Sequence, residues 1–394
     1  MKINEGQLTP GVKGSSPLLL PATMEAALLT GHGGLNKLEY RTNVPVPRPG
    51  QGEVLIEVAA SAINNTDINT RIGWYSKAVA TATEAGGATG FADISDSDAA
   101  WSGQALTFPR IQGADVCGRI VAIGEGVSED RIGERVLVRN MLRSYVEYRP
   151  FECWTLGSEC DGGFAQFAVA PSGETHAVNS DWSDAELAAV PCAYSTAENM
   201  LHRAGVGSTD RVLVTGASGG VGLAAVQLAK RRGASVVAIC SPAKADEVRA
   251  QGADQTIDRG ADLISTLGKD SVTVVCDIVG GAQTAELLEL LRPGGRYSVA
   301  GAIGGPSAEI DLRTIYLKDL SLLGCTFQDD EVFENLVKYV ERNEIRPIVS
   351  KIYPLSEIAK AQEDFLSKKH TGKLVLIPPP VTAMDRANLN ETKM

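Results

Sequence analysis

Residues 211–222, Arg-Val-Leu-Val-Thr-Gly-Ala-Ser-Gly-Gly-Val-Gly, constrain the fold of this chain more than any other stretch. Val212, Leu213 and Val214 form a short apolar run of the kind buried in a parallel sheet, and glycines follow at once. From Val221 the apolar positions Val221, Ala225, Leu228 and Ala229 share one helical face. Gly233 closes that pattern after the basic turn Lys230-Arg231-Arg232. Strand, glycine turn and helix in this order frame a dinucleotide fingerprint, with Gly219 and Gly222 at its second and third glycines and Ala217 at the first. Ser218, Gly219, Gly220, Val221 and Gly222 would then bring backbone N–H groups and a helix N-terminus up to a pyrophosphate. A glycine turn without a ligand is the alternative, and the strand before and amphipathic helix after weigh against it.

A chain of 394 residues exceeds the size of one hydrophobic core, so two domains are expected. The net charge of −11 argues against nucleic acid or an anionic membrane as the main partner. No apolar run approaches the ~20 residues of a membrane span. With seven cysteines scattered singly, these features suit reduced thiols and a cytoplasmic protein.

Residues 1–23 read as a leader and 381–394 as a polar tail. The fold is expected to begin near Met24. Val54–Val58 reads as a buried strand running into the polar cluster Asn64-Asn65-Thr66-Asp67, followed by Trp74 and Tyr75. Ser76 to Thr107 is rich in Ala, Gly, Thr, Ser and Asp and reads as an insertion, either a solvated loop or a lid carrying Phe91 and Trp101. Short strands with glycine turns through Val136–Val138 and Phe164–Val169 suggest a small β-barrel. The first lobe therefore spans 24–184. Ser183 opens a helix, and strands at 211–215, 235–239, 272–276 and 296–300 alternate with helical patterns, which places a doubly wound α/β domain at 185–326. Residues 327–380 are expected to return to the first lobe.

Taken in order, Gly52-Glu53-Val54-Leu55-Ile56 before Asn64-x-x-Asp67, Gly113-x-Asp115-x-x-Gly118, Gly133-x-Arg135-Val136, Gly219-Gly220-Val221-Gly222, Gly294-Gly295-Arg296 and the closing Gly372-Lys373 resemble the medium-chain dehydrogenase/reductase superfamily, in its zinc-independent quinone oxidoreductase branch. The resemblance runs from about Met24 to Pro378. It implies a GroES-like β-barrel catalytic domain around a Rossmann domain, and a homodimer or homotetramer. It also implies cofactor contacts from Thr196, Gly301, Ile303 and Lys373. Zinc relatives have Cys where this chain has Asn64, and Gly-His-Glu where it has Gly113-Ala114-Asp115. Cys192 matches a third ligand position, but one thiol cannot replace three protein ligands, so no metal is expected.

The cofactor expected is NADPH. An NAD enzyme usually places a carboxylate at the end of the second strand, but here that end reads Ile239-Cys240-Ser241-Pro242-Ala243-Lys244. A 2′-phosphate could lie against Ser241 and Lys244, with Arg259 adding charge after the third strand. Without zinc, plain alcohol oxidation lacks its Lewis acid, whereas hydride addition to an enone or quinone needs only donors near the oxygen. Asn64, Thr66 and Tyr75 are the catalytic candidates, with Thr66 at the proton-relay position of the zinc relatives. The acceptor is a small molecule, and the expectation is a quinone or enone reductase. An alcohol or carbonyl dehydrogenase, or a non-catalytic NADPH-binding relative, are the alternatives.

Overall fold

The computed structural model describes residues 20–92, 94–95 and 97–381. The leader through residue 19 and the tail from 382 lie outside them. Within the described residues no helix is long and apolar enough to cross a membrane.

The Rossmann domain is a six-stranded parallel sheet. Its spatial order is Gln255–Asp258, Ser235–Cys240, Arg211–Val214, Val272–Asp277, Leu291–Val299 and Ser321–Gly324. The chain starts at Arg211–Val214, in the middle, and winds outward both ways. The carboxyl ends on either side of that switch therefore open a crevice where ligands bind. Val212, Leu213 and Val214 are fully buried, as a strand covered by helices on both faces requires. Two strands carry no long apolar run: Gln255–Asp258, the third strand expected just before Arg259, where only Ile257 is buried, and the edge strand Ser321–Gly324, which was not legible in the sequence.

The other lobe is built on Glu53–Ala62, which pairs antiparallel with Cys117–Ile123 on one side and meets Lys373–Ile377 on the other. Thr175–Ala177, Arg135–Val138, Phe167–Pro171 and Val349–Pro354 complete a seven-stranded sheet. A three-stranded sheet of Leu38–Pro45, Thr23–Leu29 and Arg110–Ile111 packs beside it. The chain rejoins this lobe only at Val349. Before that, the helix Asp330–Glu341 lays Phe333, Leu336 and Val340 into the core shared with the helix Pro191–Arg203. Pairing of Val375 with Ala62 brings the end of the described chain beside Asn64.

The helix Asp184–Ala188 starts as expected, with Ser183 and Glu186 in a reciprocal capping box. The insertion is more ordered than its composition suggests. Thr83–Gly86 forms a helical turn, Phe91 packs on the catalytic core, and Ala99 and Ala100 are buried.

Candidate active site

The dinucleotide turn is made one residue earlier than the fingerprint suggested. Gly216 takes the tight left-handed turn, with φ 57°, while Ala217 is an ordinary buried residue. Gly222 is fixed by close packing: a Cβ there would lie 2.3 Å from the Gly216 carbonyl oxygen. These constraints let the helix Gly220–Arg231 start directly behind the strand, with Gly219 as its N-cap. The free backbone N–H groups of that helix start can take a pyrophosphate. A Cβ on Gly219 would meet nothing closer than 3.5 Å, so the turn keeps an open side where a ligand can approach.

Lys373 crosses this turn. A Cβ on Gly220 would lie 2.6 Å from its Cδ, so the lysine stem runs over the glycine and carries the ammonium into the other lobe. There it donates to Asn64 Oδ1 and, at 3.1 Å, to Asp115 Oδ2. Asn64 Nδ2 donates to the same Asp115 oxygen at 2.8 Å and to the Ala62 carbonyl at 3.2 Å. The other Asp115 oxygen accepts the Cys192 N–H at 2.6 Å. Lys373, Asp115 and Asn64 are all buried. The three form a closed cluster under the matched zinc positions, and both amide hydrogens of Asn64 are used inside it.

Asn64 also opens the helix Asn65–Ile72, whose N-terminus is held by Asp67. One Asp67 oxygen accepts the Asn64 N–H at 2.7 Å and the other the Gly113 N–H at 3.2 Å. Burial pushes this carboxyl up to about 7 against those two bonds, and Asp115 adds to the push. Asp67 is thus an anchor held by backbone amides. Thr66 and Tyr75, both half-buried, form a separate pair in which the Tyr75 hydroxyl donates to Thr66 Oγ1 at 3.0 Å. Burial raises the tyrosine's pKa, so it stays a neutral donor at physiological pH. Thr196, on the helix Pro191–Arg203, donates to the Cys192 carbonyl at 2.7 Å. Burial also raises the Cys192 thiol, which therefore stays protonated. Among the described residues no three His, Cys, Asp or Glu side chains converge as metal ligands.

At the far end of the crevice, Lys244 follows Ser241 in the short helix after the second strand. Its ammonium donates to the Lys368 carbonyl at 2.7 Å and to the His370 carbonyl. Arg259 is exposed at the end of the third strand, its N–H on the Cys240 carbonyl at 3.2 Å. Sequence reasoning missed Lys368 and His370, which come from the other lobe just ahead of the Gly372-Lys373 signature. Gly301 packs against the Ile278 carbonyl, where a Cβ would lie 2.8 Å away, and Ile303 follows in the same loop.

The amino-terminal region, residues 50–180, matches the alcohol dehydrogenase GroES-like domain, and residues 220–342 match the zinc-binding dehydrogenase family. A crystal structure of an alcohol dehydrogenase candidate from Sinorhizobium meliloti 1021 superposes with a TM-score of 0.81 at 44% identity, covering 91% of this chain and 98% of that one. The chain belongs to the medium-chain dehydrogenase/reductase superfamily, in its quinone oxidoreductase-like branch. Two curated relatives carry different acceptors in their names. The acryloyl-coenzyme A reductase of Metallosphaera sedula is 29% identical over 90% of this chain and 99% of its own. The quinone oxidoreductase of Rattus norvegicus is 28% identical over 90% of this chain and 98% of its own. This superfamily member is an oxidoreductase that uses a nicotinamide cofactor.

Proposed function

We propose that this enzyme is an NADPH-dependent reductase that adds hydride to the β carbon of a quinone or α,β-unsaturated carbonyl without zinc. The observation that carries the reading is the Lys373–Asp115–Asn64 cluster. It fills with hydrogen-bonded side chains the floor where zinc relatives carry their metal ligands. The nicotinamide, when bound, would supply a hydride, that is, one proton with two electrons. In a conjugated acceptor the electron pair moves on to the carbonyl oxygen, and one proton from water completes the reduced product. The Thr66–Tyr75 hydroxyl pair stabilises the oxygen that gains charge and passes the proton. Asn64, with both amide hydrogens engaged, orients the floor and leaves donation to that pair. The turn from Gly216 to Gly222 holds the pyrophosphate, and the loop at Gly301 and Ile303 borders the nicotinamide.

The test is a matched pair, an enone and its saturated ketone, followed by loss of NADPH absorbance. The enone should be reduced at least tenfold faster, a margin of about 1.4 kcal/mol in the barrier. Equal rates would favour the carbonyl dehydrogenase reading instead.

Preference for NADPH is supported by Lys244, Lys368 and Arg259, with no carboxylate at the end of the second strand. Burial, then Lys244, Lys368 and Lys373, push the His370 ring down to about 4, and its Nδ1 has no partner in the described structure. A 2′-phosphate arriving among these cations would raise that value, so binding takes up a proton. NADPH affinity should therefore rise as pH falls from 7 toward 5, while NADH affinity stays flat. His370→Gln should remove the slope in titrations with the two cofactors, and a slope retained in that variant excludes this histidine.

Among the described residues the edge strand Ser321–Gly324 is paired on one side only, next to exposed Leu312, Tyr316, Leu317 and Leu322. We propose that two copies pair through it. Sedimentation should give a dimer that Leu322→Lys dissociates. A monomer at all concentrations would contradict this.

A further inference from the structure

Asp277 ends the strand Val272–Asp277, which pairs with Arg211–Val214 at the switch point, and it is fully buried. Its Oδ1 accepts the Thr215 hydroxyl at 2.6 Å, the Val279 N–H at 2.9 Å and the Gly280 N–H at 3.1 Å. Its Oδ2 accepts the Tyr297 hydroxyl. The Ile278 N–H donates to Thr215 Oγ1 at 3.0 Å, so residues 278–280 are all tied to Asp277, either directly or through Thr215. An aspartate that bonds the backbone two residues on fixes a turn, and here it does so at the mouth of the crevice.

The loop held in this way packs backbone to backbone on the loop that follows the next strand. The Gly304 N–H donates to the Val279 carbonyl at 2.7 Å, and a Cβ on Gly281 would lie 2.7 Å from the Gly304 carbonyl oxygen. With glycine at these contacts no side chain can absorb a displacement, so the two loops move together. On its other side the same loop meets the dinucleotide turn, where a Cβ on Gly216 would lie 3.2 Å from the Ile278 side chain and 3.3 Å from that of Val279. The second loop is also held from the other lobe, since the Ile303 carbonyl accepts the Thr83 N–H at 3.1 Å.

We propose that Asp277 is a positioning residue for the nicotinamide half of the cofactor: it fixes the loop at 278–281, on which the Gly301–Ile303 loop is seated. The inference rests on the proposed place of that second loop beside the nicotinamide. It goes further by giving a role to a residue outside every motif of the chain. The adenosine half lies elsewhere, because Ser241 and Lys244 follow the second strand, on the opposite side of Arg211–Val214 from Asp277. Loss of the carboxylate therefore acts on one half of the cofactor and spares the other.

The test is calorimetric titration of the full-length protein with NADPH and NADH, and with two fragments that lack the nicotinamide, adenosine 2′,5′-bisphosphate and ADP. Asp277→Leu keeps the approximate size of the side chain and removes both acceptor oxygens; Asp277→Asn keeps one oxygen for the Val279 and Gly280 N–H groups. Asp277→Leu should raise the Kd of the preferred cofactor about tenfold or more and leave the Kd of the matching fragment unchanged. Asp277→Asn should restore most of that affinity. Thr215→Val, which keeps the carboxylate and breaks its link to Ile278, should act in the same direction by a smaller factor, and it decides the matter if the leucine variant does not fold. Equal losses for cofactor and fragment would make Asp277 a general support of the fold and overturn the inference, as would full cofactor affinity in these variants. Gly301→Ala, whose methyl would press on the Ile278 carbonyl, separates the two levels of the argument. If it weakens the cofactor and the Asp277 variants do not, this inference alone fails. If neither acts, the proposed place of the Gly301–Ile303 loop fails with it.

Discussion

Lys373→Met is expected to lower unfolding stability by about 3–5 kcal/mol, because it leaves the Asp115 carboxylate buried without a positive partner. The cluster shows why. Asp115 is fully buried; its Oδ2 accepts from Lys373 and Asn64, while Oδ1 accepts the Cys192 N–H. A buried ion pair adds little net stability over an apolar replacement, but removing one partner exposes the full desolvation cost of the other. Asp115→Asn in the Lys373→Met background should therefore recover most of the loss, since an amide oxygen still accepts from Cys192 and carries no charge. Urea unfolding of the two single variants and the double variant measures this. Additive losses would show that the pair is not coupled. The same series reads function. If the cluster shapes the acceptor floor, the double variant should regain stability yet remain slow, with a raised KM for the acceptor.

Lys244→Ala should raise the KM for NADPH roughly tenfold or more, the equivalent of ~1–3 kcal/mol for one charged partner of a phosphate, and spare NADH. The control matters because Lys244 also ties the Rossmann domain to the carbonyls of Lys368 and His370. A lysine that served only as a strut between the lobes would, when removed, weaken both cofactors alike. Lys368→Ala tests the other side of the crevice. It should act in the same direction, and the two losses should be less than additive if both cations face one phosphate. Steady-state titrations of the parent and both variants with each cofactor decide between these outcomes. Equal KM values for NADPH and NADH in the parent would remove the basis for the preference.

The parts of this architecture that can be read in the sequence are those whose residues lie close together in it. The run Val212–Val214, the glycines and the helical face from Val221 announce the nucleotide-binding crossover within some twenty residues, because strand burial and helix periodicity are local patterns. Even there the tight turn falls on Gly216, since a fingerprint fixes glycine spacing but not which glycine takes the positive φ. The polar cluster at Asn64–Asp67 was legible for the same reason. Its chemistry was not, because Lys373 reaches Asn64 from 309 positions away and Asp115 from 258. Only the pairing of Val375 with Ala62 brings them together. Lys368 and His370 were hidden in the same way. The insertion read as either a solvated loop or a lid, and its composition could not show that Thr83 is hydrogen-bonded to Asn69 and to the Ile303 carbonyl of the other domain.

The position of the transferred hydrogen tests the central claim most directly. NADPH carrying deuterium at the transferable C4 position should be given to the enzyme with an enone, and the product examined by NMR. Conjugate reduction places the deuterium on the carbon β to the carbonyl, with a proton from water on the adjacent carbon and the carbonyl intact. Deuterium on the carbonyl carbon, in an allylic alcohol product, would contradict the account and identify a carbonyl dehydrogenase.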